Sequence, residues 1–278
     1  MEDQKAQQIL LEIENKILNE VHLGFDPEVL DVLNNLDASE REIELLKAKI
    51  GEEILSRLFG IANSVYYGQL RKGSVDTFYK AVTRLGMDFT RVLIIFLANA
   101  SLSKDKEVKI IFAKSFATSL IGGRILAKEF GLIDNDAKKV ELGGLLLEMG
   151  KIIIAIYRSL YHDDYEQAGI DDAFISAHHA SLGVKIVEKF KLPDYLKDMI
   201  STDCLTLDTK MISLSGIVML AYSMVDLSFR RFDNRLAIAT PMADMEGMAP
   251  TIGSVIEDIF KSVGLASYLK IIRRPLPN

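Results

Sequence analysis

The chain has one cysteine, four histidines and no long uninterrupted apolar run among its 278 residues. A lone Cys204 excludes an intrachain disulfide and any zinc site built on a cysteine pair. The opening MEDQKAQQILLEIENKIL is acidic and helical in pattern, which is wrong for a secretory leader, so a reducing, cytoplasmic setting is expected. The longest apolar stretches, VLIIFLANASL and GGLLLEMGKIIIAIY, fall short of the roughly 20 apolar residues of a membrane span. No transmembrane segment is expected. Lys and Arg (33) are outnumbered by Asp and Glu (39), for a net charge of −6. That balance argues against broad nucleic-acid affinity, which needs clustered cations to displace counterions.

What is present is the composition of an ordinary globular protein, with 49 % hydrophobic and 26 % charged residues. The chain is long enough for one large domain or two smaller ones around a substantial core. Its apolar residues recur at the helical period. Ile43, Leu46, Ile50, Ile54 and Leu58 mark one helix face, opened by a Ser39/Glu42 capping box and closed at Gly68. Ser74 is expected to open the next helix, whose buried stripe is Phe78, Ala81, Val82 and Leu85, with Gly86 ending it. Asp88 starts another, running through Ala100. Further helices are expected over 106–130, 136–158, 171–190, 194–201, 209–228 and 254–270. The segment RRFDNRLAIATPMADMEGMAP reads as a long loop, and its methionines suit either an interface or a fold-back onto the core. No strand alternation stands out, so the fold class is all-α.

Few chemical motifs survive inspection. GGLLLEMGK ends in Gly-Lys, but Ile follows and the glycine spacing is wrong for a phosphate-binding loop. No G-x-S-x-G elbow occurs. His178 and His179 are adjacent and point about 100° apart on a helix, so they do not share one metal readily. His162 leads YHDDYEQ, a polar stretch that reads as a solvated loop. Glu148 is the awkward residue, an acid inside an apolar block, where an unpaired carboxylate is costly. In ANSVYYG, Asn63 and Ser64 suit a helix end closed by side-chain hydrogen bonds. Of Tyr66 and Tyr67, one is expected in the core and the other free for a contact.

Several stretches, taken in order, resemble the HDOD (HD-related output domain) family. These are LGFDPEVLDVLNNLD, IANSVYYG, SVDTFYKAVTRLGMDFTRVLI, KSFATSLIGGRILAKEFG, GGLLLEMGKIIIA and HASLGVKIVEKFKLPDYLKDMI. The resemblance covers about residues 18–226. It implies an HD-domain-like helical bundle with an N-terminal helical lobe. The expected parts are an N-terminal helical extension (1–17), the domain itself (18–228, with lobes of about 18–104 and 105–228) and a C-terminal loop and helix (229–278). The family is similar in fold to HD phosphohydrolases, which hold metal with a histidine, a His-Asp pair and a later aspartate. Carried over by position, the first histidine falls at Lys114, the pair at Leu147 and Glu148, and the late aspartate at Asp226. His179 matches a histidine the family often retains, and a further pair falls near Asp203 and Cys204.

These departures decide the expected chemistry. Lysine must lose a proton to bind metal and leucine has no donor, so neither a hydrolytic metal centre nor any other cofactor is expected. Lys114 and Glu148 are expected to pair with each other in the vacated space. The leading expectation is a non-catalytic bacterial signal-transduction module whose partner is an unidentified signalling protein. A second reading is a degenerate phosphohydrolase that binds a nucleotide or cyclic dinucleotide without cleaving it, with Lys114, Arg124 and Lys151 toward phosphate. A third is a residual metal-dependent enzyme using His162 and His179. Asn63, Ser64, Tyr66, Tyr67 and His179 are the candidate interaction residues.

Overall fold

The computed structural model describes residues 2–20, 24–64, 67, 74–102, 105–201, 213–228, 257–258 and 261. Among these residues the chain is helical, and an isolated antiparallel bridge joins Phe25 to Ile50. The expected final helix, the methionine-containing loop, Gly68, Tyr66, Asp203 and Cys204 lie largely or wholly outside the described residues.

Helix α1 (Glu2–Ile13) runs on as an underwound π segment (Glu14–Glu20). The first lobe follows with α2 (Glu28–Leu33), α3 (Glu40–Leu45), α4 (Glu52–Ala62) and α5 (Phe78–Leu85). Next is α6 (Met87–Leu102). The second lobe comprises α7 (Lys106–Leu120), α8 (Asp134–Leu146), α9 (Met149–Leu160), α10 (His162–Ala168), α11 (Asp172–Lys189), α12 (Tyr195–Ile200) and α13 (Leu214–Ser228).

Every residue of α6 from Phe89 to Ala100 is buried. A helix apolar all round has no solvent face and must sit inside the molecule. Here α2, α4 and α5 cover one side of it and α8 and α9 the other, so α6 is the spine shared by both lobes. Arg91 is the buried charged residue on this spine, which also buries the polar Thr90 and Asn99. Its guanidinium donates to Asn34 Oδ1 (2.9 Å), beyond α2, and to the Phe190 and Lys191 carbonyls (3.0 and 2.7 Å), beyond α11. One buried cation thus ties the ends of two helices from different lobes.

Several expected boundaries shift for visible reasons. The long helix from Ser39 onward breaks at Ile50–Gly51, although the capping box at Ser39 forms as expected. There the backbone of residues 24–26 crosses it, with Gly51 N–H donating to the Gly24 carbonyl (3.0 Å) and Asp26 N–H to that of Lys49 (2.9 Å). The cap of α5 is Thr77, not Ser74; its hydroxyl accepts from Lys80 N–H. YHDDYEQ is not a loop but α10, with Asp163 and Asp164 in its first turn, where the helix dipole favours them, and Gly169 in the left-handed conformation at its end. The single helix expected over 136–158 is two, α8 and α9, separated at Leu147–Glu148.

The segment Lys106–Glu129 is long and apolar enough to cross a membrane, but 89 % of its most apolar window is buried inside the protein. It is a core helix, packed against α8 and α13.

Truncating Arg91 leaves two carbonyl groups and Asn34 without their donor. Arg91→Ala is expected to destabilise the protein by about 3–5 kcal/mol. Urea unfolding of the two proteins, compared at equal m-value, measures this.

Candidate functional site

The second lobe is held by helices that approach unusually closely. A methyl group at Gly150 would run into the His179 carbonyl, and one at Gly144 would come within 2.7 Å of the Ser119 backbone. Glycine is the residue that permits such contact. The block GGLLLEMGK therefore pins α8 to α7 through Gly144 and α9 to α11 through Gly150. Between the two contacts the chain turns, and Glu148 adopts φ −102°, ψ 11°, in the sparsely populated bridge region. Its carbonyl accepts from Lys151 N–H (3.0 Å) and Ile152 N–H (3.2 Å), starting α9.

Glu148 is buried, and its carboxylate has a partner one turn away, with Lys151 Nζ at 2.8 Å from Oε2. His179 lies on its other side, Nε2 3.9 Å from Oε1. The His179 Nδ1 lies 2.9 Å from the Ile175 carbonyl and 3.2 Å from that of Ser176. A carbonyl only accepts, so Nδ1 carries a proton and Nε2 is the nitrogen that faces the acid. His178, on another face, stacks obliquely on Phe174, and His162 is exposed.

Lys114 does not pair with Glu148, as the sequence suggested. Its ammonium makes a buried ion pair with Asp226, the side chains 9 % and 4 % exposed. It also lies 3.4 Å from the Tyr222 hydroxyl and 4.8 Å from the centroid of that ring. The geometric reason is helix pairing. Lys114 on α7 faces α13, which presents Tyr222 and Asp226 one turn apart. That i, i+4 spacing was readable in AYSMVD, but the facing of α7 and α13 was not. Two of the positions matched to metal ligands thus satisfy one another. Leu147 is buried and brings no donor. Among the described residues, no group of three or more His, Cys, Asp or Glu side chains is placed to hold a metal ion. An ammonium on the carboxylate, with leucine at the next ligand position, does not fit a divalent cation.

The first-lobe candidates separate. Asn63 pairs with the Val75 backbone in both directions, its Nδ2 donating to the carbonyl (3.0 Å) and its Oδ1 accepting from the N–H (2.8 Å). It closes the end of α4. Ser64 is buried beside it. Tyr67 is buried against Phe89 (5.4 Å between centroids), and Arg124 of the second lobe lies over its ring (4.6 Å). Arg124 is in turn ion-paired with Glu141 on α8. Glu141 was not singled out from sequence, because KKVELGG gives no sign that its acid points inward. Burial pushes its carboxyl up to about 7, with the guanidinium pulling it back down; burial also raises the Tyr67 phenol. All three cations considered for phosphate are therefore paired: Lys114 with Asp226, Arg124 with Glu141 and Lys151 with Glu148.

A family model described as HDOD domain matches residues 27–203. No curated protein matches. Three crystal structures share the fold. One, named "Putative phosphohydrolase", from Shewanella amazonensis SB2B, is 19 % identical at a TM-score of 0.55, covering 94 % of this chain and 97 % of that one. An HDOD domain protein with unknown function from Geobacter sulfurreducens is 16 % identical at 0.55, covering 100 % of each chain. A "Putative metal-dependent phosphohydrolase" from the same Shewanella is 16 % identical at 0.56, covering 97 % and 98 %. At these identities the likeness is one of fold.

Two measurements probe the buried charges. Lys114→Met alone strands Asp226 and is expected to cost about 3–5 kcal/mol, whereas Lys114→Met with Asp226→Leu recovers most of that loss. Denaturant unfolding of the four proteins in the cycle gives the coupling. For Glu141, the folded carboxyl titrates higher than in the unfolded chain, so between about pH 4.5 and pH 7 the native state holds a proton the unfolded state has released. This group's contribution to stability is full below that window and declines as pH rises through it. Glu141→Gln is expected to flatten that part of the stability profile, measured by urea unfolding at stepped pH.

Proposed function

The chain belongs to the HDOD family, and from that premise we propose that it is a non-catalytic regulatory module of bacterial signal transduction, working through protein–protein contacts. The observation that carries this reading is the Lys114–Asp226 ion pair. A hydrolytic centre of the HD type needs carboxylate and imidazole donors free to converge on a cation that activates water. In this chain the aspartate is committed to an ammonium, and the position matched to the paired histidine is an alkyl side chain. Recovering a metal site would require displacing Lys114 from a packed, aromatic-capped position.

The nucleotide-binding alternative draws no comparable support. A phosphate approaching Lys114, Arg124 or Lys151 would have to compete with a carboxylate already in place on each. The phosphohydrolase names belong to neighbours with 16–19 % identity and stay with those proteins. What a module without reaction chemistry offers is surface, and the partner we propose is another signalling protein rather than a membrane, a nucleic acid or a nucleotide.

Protein purified without chelator is expected to carry zinc, iron and manganese at well under one equivalent by elemental analysis. It is also expected to release no phosphate from generic mono- and diester substrates with manganese added. Stoichiometric metal together with turnover would overturn the proposal. A saturable thermal shift with a nucleotide, absent metal, would move the assignment to the ligand-binding alternative.

A further inference from the structure

Residues 2–20 lie outside the stretch matched by the family model, yet they are packed against the second lobe. They rest on α9 and α11. Ile9, Ile13, Ile17 and Leu18 are buried there. The first three recur every four residues, which makes one stripe along a helix.

The polar fittings lie at the margin of this contact. Lys16 Nζ donates to Asp164 Oδ2 of α10 (2.7 Å) and to Glu12 Oε1 (2.8 Å), and sits over the Tyr161 ring (4.9 Å to the centroid). Tyr157 of α9 donates its hydroxyl to Glu12 (2.9 Å), and Lys189 of α11 donates to Asn19 Oδ1 (2.6 Å). Asp164 and Glu12 are each 43 % exposed, so water can replace their partners at small cost. The attachment is thus a short apolar stripe, one hydrogen bond from the buried Tyr157, and two solvent-screened contacts made by Lys16 and Lys189. It is also underwound over Glu14–Glu20, and π segments are helix irregularities that often accompany function.

We propose that the face formed by α9 and α11 is a helix-acceptor groove, held closed by residues 2–20, that a partner enters by exchanging its own amphipathic helix for this segment. The geometry states what that helix must carry: apolar residues at i, i+4 and i+8, as at Ile9, Ile13 and Ile17, and a lysine at i+7, as at Lys16, to meet Asp164. This rests on the regulatory reading above and names the surface it uses.

The test uses a fluorescent peptide of residues 2–20 and the 278-residue chain. Ile13→Asp with Ile17→Asp should lift the resident segment, so the variant is expected to bind the peptide saturably by anisotropy. The unaltered protein, whose tethered segment competes at an effective concentration of about millimolar, should bind a peptide of about micromolar Kd about a thousandfold more weakly. A peptide carrying Lys16→Glu should bind the variant more weakly than the native peptide. A variant with native circular dichroism that ignores the peptide overturns the proposal. If the variant does not fold, hydrogen exchange on the unaltered protein decides. Exchange of amides 4–20 through openings well below global unfolding supports it, and exchange only through global unfolding overturns it. A concentration-dependent dimer that swaps residues 2–20 would assign the groove to a second copy and also overturn it. Absence of metal and turnover would stand unchanged in every case, so failure here is separable from failure of the regulatory reading.

Discussion

The closeness of the helices at Gly144 and Gly150 governs the second lobe. Two backbones that approach until a methyl group no longer fits leave no freedom in how α8 meets α7 or how α9 meets α11. Interiors packed to that density transmit any shift to their neighbours. The turn between the two contacts is fixed in consequence, and so is Glu148, which lies within it. Its carboxylate lies between Lys151 on its own helix and His179 on the next. The same contact of α7 with α8 sets the rotation of α7 and sends Lys114 toward α13 and away from Glu148.

Charge inside this lobe is arranged as separate neutral pairs. Lys114 answers Asp226, Lys151 answers Glu148 and Arg124 answers Glu141. Such pairs gain little net stability over apolar side chains of the same shape, since desolvation consumes most of the Coulomb attraction. Their effect is on what else can bind. An acid paired in this way brings no net charge toward a divalent cation, and a base paired in this way brings none toward a phosphate. Arg124 has a second consequence, because its guanidinium also covers Tyr67 of the first lobe. Together with Arg91, it couples the lobes by cationic contacts on both sides of α6.

Much of the helical architecture was legible in the sequence because helices announce themselves locally. The capping box at Ser39, the stripe from Phe78 to Leu85 and the stop at Gly86 depend only on neighbours a few residues away, and all three are found. The break at Ile50–Gly51 was not legible, because it is caused by residues 24–26 crossing from outside the periodic window. YHDDYEQ misled for a related reason. Its polarity suits a loop, but the acids sit at a helix N-terminus, and Tyr165 supplies the buried anchor. The candidate site divides the same way. That Lys114, Leu147, Glu148 and Asp226 mattered could be read from order and spacing. Which charge answers which follows locally for Glu148 and Lys151, three residues apart, but not for Lys114 and Asp226, 112 residues apart, whose meeting depends on how α7 is rotated against α13.

That division bears on how this fold accommodates acids in its interior. Metal ligands are coupled through the ion they share, so losing it leaves several buried donors and acids without compensation at once. Buried acids that share no ion must each be neutralised locally. Lysine at position 114 does this for Asp226 with a single side chain, its ammonium beside the acid and its stem along Tyr222. Lys151 does it for Glu148 from the adjacent turn, at the cost of no new packing. With the interior neutral and closed, α1 and the π segment after it meet the family fold along α9 and α11, burying Ile9, Ile13, Ile17 and Leu18 there. In the exchange proposed above, one amphipathic helix replaces another along that face while the glycine contacts beneath remain as they are.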